Sequence, residues 1–548
     1  KFNANIYSVY AEDQIQLTRR LKLIPGLRLD ETDIPQKQQL SIKTQRTMPD
    51  AFYGTSYSYT QPRNIRNDYL GQIQFSPRIG FNYDVTGDKR VVLRGGSGLF
   101  IGRIPFAWLG YAFYNNGNTY GSFDKRYDYV GNPTAIPAVP PTVPNPGTNP
   151  QAQSPIGIAA SALNELGKGA LNPNGPTQVD LIDNHFKMPQ VWRTSAAIDW
   201  NAGDGYKFTL EGVFTKTIYD LKFQQINQQD SASYYQYDIH HQQPIFNGKS
   251  VDPAFTAMYL LSNTKQGYRF SATAQASKHF PFGLDLMVAY TYGQSKDVAN
   301  GIRNSMESNW QLNPALNPNN PGVAYSNFDI RNRIIGSVNY QVTYGKNHRY
   351  QTSATLFISA ASGSPYTYGF VNNSIQGTGQ QVSLAYIPRP DEVINFFQGG
   401  NVQLANGTIV NKSASDQAEE FMQYIRSSPY LRSRMGQFTE RNGARTPWNV
   451  DADLRLSQSL GFIEPSNFFK SLTLTIDIFN LTNLIDKNLG RVYFSSDLFN
   501  STASVGLRPT GTTMNGYPIY IWEQPSSPYQ TDLTQSRYQM QIGVRYNF

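Results

Sequence analysis

Apolar and polar residues alternate one by one in several stretches of the chain. At the carboxyl-terminal end, polar residues and glycine separate six apolar positions, namely Tyr538, Met540, Ile542, Val544, Tyr546 and Phe548. Because successive side chains of a β-strand point to opposite faces, this segment predicts a strand with one apolar and one polar face. Such a strand suits a soluble sandwich, and it suits equally a membrane barrel with one face in lipid.

The same alternation recurs throughout the chain and predicts an all-β fold of about thirteen strands. In 471–478, for example, Leu472, Leu474, Ile476 and Ile478 alternate with polar residues. The predicted strands lie near 4–17, 21–31, 73–86, 89–101, 190–202, 205–222, 265–279, 283–297, 325–343, 349–363, 446–460, 469–483 and 535–548.

The connections between the predicted strands alternate between short and long. Short turns are predicted at 18–20, 87–88, 203–204 and 280–282, whereas the long segments are 32–72, 102–189, 223–264, 298–324, 364–445 and 484–534. A soluble sandwich has no reason to place every long connection at one end of its strands. Outer-membrane barrels have short periplasmic turns and long extracellular loops, so the sequence favours a large antiparallel transmembrane β-barrel over a soluble β protein.

Composition agrees with a barrel and excludes several other classes. Aromatic residues make up 13% of the chain and charged residues only 16%, below the roughly 25% of soluble proteins. No run of about 18 apolar residues is present, which excludes a transmembrane helix. The chain has no cysteine, which excludes disulfides and thiol chemistry. Its net charge of +8 is spread along the chain, so no nucleic-acid partner is expected.

The strand count carries an expectation about chain length. Single-chain bacterial barrels normally have an even number of strands and both termini in the periplasm. Thirteen is odd, so we expect at least one further strand before Lys1. We therefore interpret residues 1–548 as the carboxyl-terminal portion of a larger barrel domain.

Several segments resemble the barrel of TonB-dependent outer-membrane receptors, in particular the Oar-like group with its carboxypeptidase-regulatory-like domain. The segments are IYSVYAEDQIQLTRRLKLIPGLRLD, FSPRIGFNYDVTGDKRVVLRGGSGLFIGR, MPQVWRTSAAIDW, SNFDIRNRIIGSVNY, SGSPYTYG, YLRSRMGQFTERNGARTPWNVDADLRL and IDIFNLTNLID. Met435 departs from the pattern, since the family often has arginine before the glycine at this place. The resemblance implies a 22-stranded barrel in a Gram-negative outer membrane, with a plug domain and TonB as partners. No segment resembles a plug domain or a TonB box.

Charged residues recur on the polar face of the predicted strands and are expected to face the barrel lumen. These candidates are Arg78, Arg94, Arg193, Glu211, Arg269, Asp285, Arg333, Asp451, Asp453, Arg455, Asp477 and Arg545. They could hold a plug through charged hydrogen bonds, or they could form a solvated wall without a specific partner. Asp451 and Asp453 could also act as acid and base or bind calcium, but beside Arg455 we interpret them as wall residues.

Motifs for chemistry are scarce, and no enzyme activity, metal or cofactor is expected. His240 and His241 are adjacent, so in an extended loop their side chains point apart and do not form a two-ligand site. RGGSG at 94–98 lies inside a strand pattern, where glycine permits a bend or the close approach of another backbone. In the long loops, 132–155 is rich in proline, and 415–426 predicts a short helix capped by Ser415.

Two functions fit this sequence. The first is energy-coupled transport of a large ligand by a TonB-dependent receptor, and the second is a non-transporting barrel that serves as a scaffold in a secretion, insertion or adhesion complex. Outer-membrane lipid is an expected partner in both cases, and other outer-membrane proteins or a surface lipoprotein are further candidates. Tyr546 and Phe548 end the last strand and are candidates for the signal that directs insertion of outer-membrane proteins.

Overall fold

The computed structural model describes most of the chain. The described residues are 3–46, 56–117, 176–230, 233–246, 248–299, 301, 303–345, 350–371, 379–404, 407–459, 472–495, 501–514 and 516–546. The proline-rich segment 132–155 and Phe548 lie outside them.

Thirteen strands form the main sheet and follow one another in chain order. They are β1 Asn5–Glu12, β2 Leu21–Asp33, β3 Gln74–Asp84, β4 Val91–Ile101, β5 Gln190–Gly203, β6 Tyr206–Gln225, β7 Tyr268–His279, β8 Leu284–Asp297, β9 Asn332–Tyr344, β10 Tyr350–Ala361, β11 Asn449–Ser459, β12 Leu472–Phe479 and β13 Gln539–Tyr546. Each strand pairs antiparallel with the next. The predicted antiparallel β architecture is therefore confirmed.

The register of the main sheet brings apolar residues together on one face. One continuous row runs across eight strands and consists of Leu93, Ile198, Leu210, Ala274, Tyr290, Ile334, Ala360 and Val450. Large side chains on this face are exposed, among them Leu210 at 59% and Ile542 at 72%. Soluble monomers rarely expose a contiguous apolar patch of this extent, so this apolar face is built for lipid contact.

The height of the apolar face matches a membrane. Trp192 and Trp200 are both exposed on this face of β5, near its two ends. At about 3.3 Å per residue they are about 26 Å apart along the strand. Outer-membrane barrels carry an apolar band about 25 Å tall with aromatic residues at both borders, which these two tryptophans fit.

Tight turns join the strands at one end of the sheet. Gly87, Gly203 and Gly283 have φ values of +83°, +86° and +91° in the turns after β3, β5 and β7. A side chain is strained at such angles, so glycine is the residue that these reversals require. The long segments emerge at the other end, and we call their described residues the loop layer.

The loop layer has secondary structure of its own. Its helices are α1 Phe106–Tyr114, α2 Met306–Gln311, α3 Ala414–Ser427, α4 Pro429–Ser433 and α5 Leu481–Ile485. Phe255–Thr264 pairs antiparallel with the end of β6 and parallel with Thr177–Ile182, so the main sheet continues into this layer. None of the described helices has the length and apolar character needed to cross a membrane.

Short strands complete the loop layer. They are Thr177–Ile182, Ser233–Gln236, Gln242–Ile245, Phe255–Thr264, Ala324–Tyr325, Pro365–Val371, Val382–Leu384, Tyr386–Ile387, Gly400–Gln403, Ile409–Lys412, Gln437–Phe438, Ala444–Arg445, Tyr493–Ser495, Thr502–Ser504, Leu507–Thr512, Pro518–Trp522 and Tyr529–Thr531. Ile15–Gln16 lies outside this layer and pairs with β2 beside β1.

Three apolar cores stabilise the loop layer. One of them gathers Trp108, Leu109, Tyr259 and Trp310 from three separate segments. Another contains Tyr386, Phe421 and Tyr520, and a third surrounds Phe255 and Leu260. Because each core joins segments that are far apart in the sequence, the described parts of the long loops pack as one folded cap over the strand ends.

Helix α3 confirms the helix predicted for 415–426 but corrects its start. Ser413 is the cap, since its Oγ accepts a hydrogen bond from the Asp416 amide at 3.1 Å. The Asp416 carboxylate accepts in return from the Ser413 amide at 3.2 Å, which completes a capping box. Ser415, the cap expected from the sequence, lies inside the helix instead.

Candidate functional site

All twelve charged residues predicted for the lumen lie on the face of the sheet opposite the apolar face. The register pairs them with small or polar residues of neighbouring strands, for example Glu211 with Thr273, Asp285 with Asn339, and Arg333 with Thr291. We call this the polar face. It carries Arg78, Arg94, Arg193, Glu211, Arg269, Asp285, Arg333, Asp451, Asp453, Arg455, Asp477 and Arg545. Contact with a plug stays a prediction.

Three of these arginines form a row near the loop end of the strands. Arg78, Arg193 and Arg269 lie on β3, β5 and β7, and Gly98 and Thr215 occupy the same row on the strands between them. Neighbouring strands are about 4.8 Å apart, so successive arginines are about 10 Å apart. Small residues between them leave space above the sheet for each guanidinium group.

Glycine and aromatic contacts fix the position of Arg78 in this arginine row. A Cβ atom at Gly98 would lie 2.8 Å from the Arg78 Cβ, and one at Gly26 would lie 3.0 Å from its Cγ. The Arg78 and Arg193 guanidinium carbons lie 5.2 and 5.7 Å from the centre of the Phe100 ring. These distances fit cation–π contacts on one shared aromatic residue. The close approach predicted for the glycines of 94–98 is confirmed at Gly98.

Arg94 lies on the same face, but carboxylates of neighbouring strands neutralise its charge. Its Nε donates to Asp199 at 2.8 Å, and its Nη2 lies 2.9 Å from a Glu211 oxygen. Thr209 donates to the other Asp199 oxygen at 2.7 Å. Arg94 is therefore a structural member of the barrel wall, with its charge already balanced.

Arg455 is neutralised in the same way by Asp477, and one of the two contacts between these side chains measures 3.1 Å. The neighbouring Asp453 accepts a hydrogen bond from the Asn480 amide at 2.9 Å, which anchors the segment after β12. Asp451 Oδ1 is buried and has no hydrogen-bond partner among the residues that the structure describes. The interpretation of these two aspartates as wall residues stays a prediction.

The remaining predicted wall residues divide into two groups. Asp285 Oδ1 lies 2.6 Å from His279 Nδ1, near the short-turn end of the sheet. Arg269, Arg333 and Arg545 form no ion pair with another residue in the described part of the chain. Within the part of the chain that the structure describes, Arg193 donates only to the Thr215 hydroxyl, at 3.2 Å. The polar face thus combines balanced charges with arginines that lack a carboxylate.

Buried ion pairs that sequence reasoning missed join the loops to one another. Arg441 is 2% exposed, and its Nη2 lies 2.5 Å from Asp297 Oδ1, while its Nη1 donates to Asn313 at 2.7 Å. Arg445 forms a second ion pair with Asp329. Breaking such a buried pair leaves an uncompensated charge, which is strongly destabilising. Both arginines lie in the segment FTERNGARTPWN, which carried part of the family resemblance.

The adjacent histidines His240 and His241 of the loop layer have different surroundings. His241 Nδ1 lies 2.7 Å from Asp238 Oδ2, and it borders a cavity of about 510 Å³ with Phe438 and Arg434. Burial of Asp238 opposes ionisation, but hydrogen bonds from the His240 amide and from His241 hold its pKa at about 2. His240 is exposed. Among the described residues, no three His, Asp or Glu side chains form a metal-binding group.

A second cavity of about 480 Å³ is lined by five tyrosines, which we call the tyrosine cleft. The tyrosines are Tyr366, Tyr368, Tyr424, Tyr430 and Tyr529. The rings of Tyr368 and Tyr430 stack with centroids 6.0 Å apart. Burial raises the pKa of Tyr366 and Tyr424, so these phenols stay neutral. The cleft offers aromatic faces and neutral hydroxyl groups rather than charge.

Comparison with known protein families decides the nature of this sheet. Residues 1–503 match the family described as outer membrane beta barrel domain. The chain belongs to this family. Together with the apolar face, the match places the protein in the outer membrane of a Gram-negative bacterium as a β-barrel, and the soluble alternative is excluded. No curated protein matches the chain.

Solved structures of outer-membrane receptors and transporters are similar to the chain at low identity. A mutant of the ferric enterobactin receptor PfeA from Pseudomonas aeruginosa is 12% identical, with a TM-score of 0.38 over 87% of this chain and 40% of that one. The outer membrane transporter YddB from Escherichia coli is 11% identical, with a TM-score of 0.38 over 100% and 45%. The siderophore receptor PirA from Acinetobacter baumannii is 9% identical, with a TM-score of 0.37 over 88% and 42%. The chain thus spans less than half the length of these proteins.

Proposed function

We propose that this outer-membrane β-barrel is the barrel portion of a TonB-dependent receptor of the Oar-like group. In this proposal, the complete protein transports a large ligand across the outer membrane and draws its energy from TonB. The observation that carries the proposal is the arginine row on the polar face, beneath a folded loop layer. The sequence segments that resemble Oar-like receptors support the same assignment.

The mechanism follows from the arrangement of these parts. The loop layer would capture the ligand, a plug domain would close the lumen, and force from TonB in the periplasm would rearrange the plug. Arg193, Arg269 and Arg333 have no carboxylate partner within the described residues, so they can accept acidic groups from a plug. A hydrogen bond to a charged group contributes about 1.5–3 kcal/mol, so several such contacts hold a plug firmly. No bond chemistry is required of the barrel.

Binding of TonB tests the proposed energy coupling directly. We expect the complete protein, purified in detergent from its native membrane, to bind the periplasmic domain of TonB from its own host. An affinity in the micromolar range, about −8 kcal/mol, would suffice for a transient mechanical contact. The measurement is isothermal titration calorimetry, with an unrelated outer-membrane porin from the same host as control. If no binding is detected at a TonB concentration 100-fold above this micromolar range, TonB coupling is ruled out.

A scaffold role is the second candidate, and exposed apolar side chains of the loop layer favour it. Ile239 and Ile409 are 85% and 65% exposed and lie far from the apolar face. Such side chains suit contacts with other outer-membrane proteins or with a surface lipoprotein. Mass spectrometry of the proteins that co-purify from native membranes separates the two functions. A stoichiometric partner without TonB binding would support the scaffold.

A further inference from the structure

A small cavity on the polar face lies where β1, β2 and β3 meet the end of β4. Its volume is about 220 Å³, and its polar lining comes mainly from Arg28, Arg78, Arg103, Asp30 and Ser76. A water molecule occupies about 30 Å³ of the liquid, so this space holds several waters or one tetrahedral anion. The cavity therefore has the size of a small-anion site.

The charge of this cavity is strongly positive. Three guanidinium groups surround it, and Asp30 is the single acidic residue among the described residues that line it. Asp30 is already bound by Arg28, whose Nε and Nη2 both lie 2.8 Å from its oxygens. Ser8 donates to Asp30 at 2.6 Å as well. Arg78 and Arg103 form no ion pair with any described residue, and the lining has a net charge of +2.

Two polar atoms in the lining have no hydrogen-bond partner among the described residues. Ser76 is 1% exposed, and its Oγ is buried without a partner. Arg78 Nε is likewise buried without a partner. Buried polar groups are almost always hydrogen-bonded, so two unpartnered donors beside one cavity indicate a site that is completed by another group.

The cavity is also preorganised. Gly26 and Gly98 flank the stem of Arg78, and a Cβ at either place would come within 3.0 Å of it. The Phe100 ring lies 5.2 Å from the guanidinium carbon and also lines the cavity. Because these contacts hold the side chain in place, little conformational entropy is lost when an anion binds.

We propose that this cavity binds a phosphate group, either as inorganic phosphate or as a phosphomonoester. Arginine forks match the oxygens of phosphate and form two parallel hydrogen bonds with them. A dianion balances the net charge of +2, whereas a single carboxylate balances half of it. The phosphate would lie between Arg78 and Arg103, with the Ser76 hydroxyl as a further donor. This inference does not depend on transport or on TonB.

The test is calorimetric titration of the complete protein in detergent, in a buffer without phosphate or sulfate. We expect inorganic phosphate to bind, and Arg78→Met and Arg103→Met each to weaken the affinity at least tenfold. Arg103 is exposed, so its replacement leaves folding intact even if the Arg78 variant is unstable. Arg90→Met is the matched control, since Arg90 is exposed and paired with Asp88 at the turn after β3. Its affinity should change less than twofold.

Titrations with other ligands distinguish inorganic phosphate from a phosphomonoester. Equal affinity for glucose 6-phosphate and inorganic phosphate indicates that the site accepts phosphomonoesters, and tighter binding of inorganic phosphate indicates the free anion. Acetate should bind at least tenfold more weakly than phosphate. Lack of phosphate binding to the wild-type protein, equal binding of acetate, or an equal loss in Arg90→Met would each overturn the proposal.

Discussion

Arginine serves two purposes on the polar face of this barrel. Arg94 and Arg455 are balanced by carboxylates of neighbouring strands, and they stabilise the wall. Arg78, Arg193 and Arg269 have glycine, threonine or phenylalanine as neighbours instead. The residue type and the parity of these positions are readable from the sequence. Their difference in charge balance is not, because it depends on which residue the register places opposite each one.

Asp180 in the loop layer provides a prediction about pH. Burial raises its pKa to about 6, although Gln178 and Asn115 donate to it at 2.9 and 3.2 Å. The folded state therefore binds this proton more tightly than the unfolded state. The resulting stabilisation is complete below about pH 4 and is lost as the pH rises through 6, by up to about 3 kcal/mol.

Hydrogen exchange of the segment Thr177–Ile182 measures this effect. We expect protection, corrected for the intrinsic exchange rate, to be greater at pH 4.5 than at pH 7.5 in the wild-type protein. Asp180→Asn should remove most of the difference, because the amide does not titrate. A pH dependence that is unchanged in this variant would contradict the assignment to Asp180.

At the scale of single elements, strands were predicted far better than loops. The period-two pattern places β5, β7 and β8 within a few residues of their observed bounds. The reason is that the two faces of such strands meet different environments, so apolar and polar residues alternate in the sequence. The long loops carry no such pattern. The pairing of Phe255–Thr264 with both β6 and Thr177–Ile182 is a long-range contact that only the folded chain reveals.

Helix α3 gives a prediction at the element scale. Ser413→Ala removes the side-chain half of its capping box and should reduce the local stability of the helix by about 0.5–2 kcal/mol. Ser415→Ala is the matched control, because Ser415 is exposed and lies inside the helix. Its effect should stay within about 0.5 kcal/mol. Hydrogen exchange over 414–427 measures the local stability of the helix in both variants. A larger loss of stability in Ser415→Ala than in Ser413→Ala would show that Ser415 is the cap, as expected from the sequence.

At the scale of the whole molecule, one sheet separates two environments. The apolar face meets lipid, the polar face carries most of the charged strand residues, and the loop layer covers one end. Adjacent residues on one strand therefore lie in different solvents. Ala274 and Gln275 of β7 are such neighbours, and both are exposed.

A matched pair of substitutions on β7 tests this division. Ala274→Lys puts a charge near the middle of the apolar face and should reduce the free energy of unfolding by about 2–4 kcal/mol. Gln275→Lys puts the same charge on the polar face, where water solvates it, and should change stability by less than 1 kcal/mol. Both are measured by urea unfolding of the complete protein in lipid vesicles. Equal losses would show that the two faces do not differ in solvent.

The sequence by itself determined the approximate positions of the main strands, their two faces and the membrane-barrel class. These properties follow from local alternation and from turn lengths, which neighbouring residues encode. Only the tertiary structure decided which charges are balanced, such as Arg441 by Asp297 across 144 positions, and which form no ion pair among the described residues, such as Arg78. The physical reason is that register and loop packing bring together residues whose distance along the chain carries no local signal.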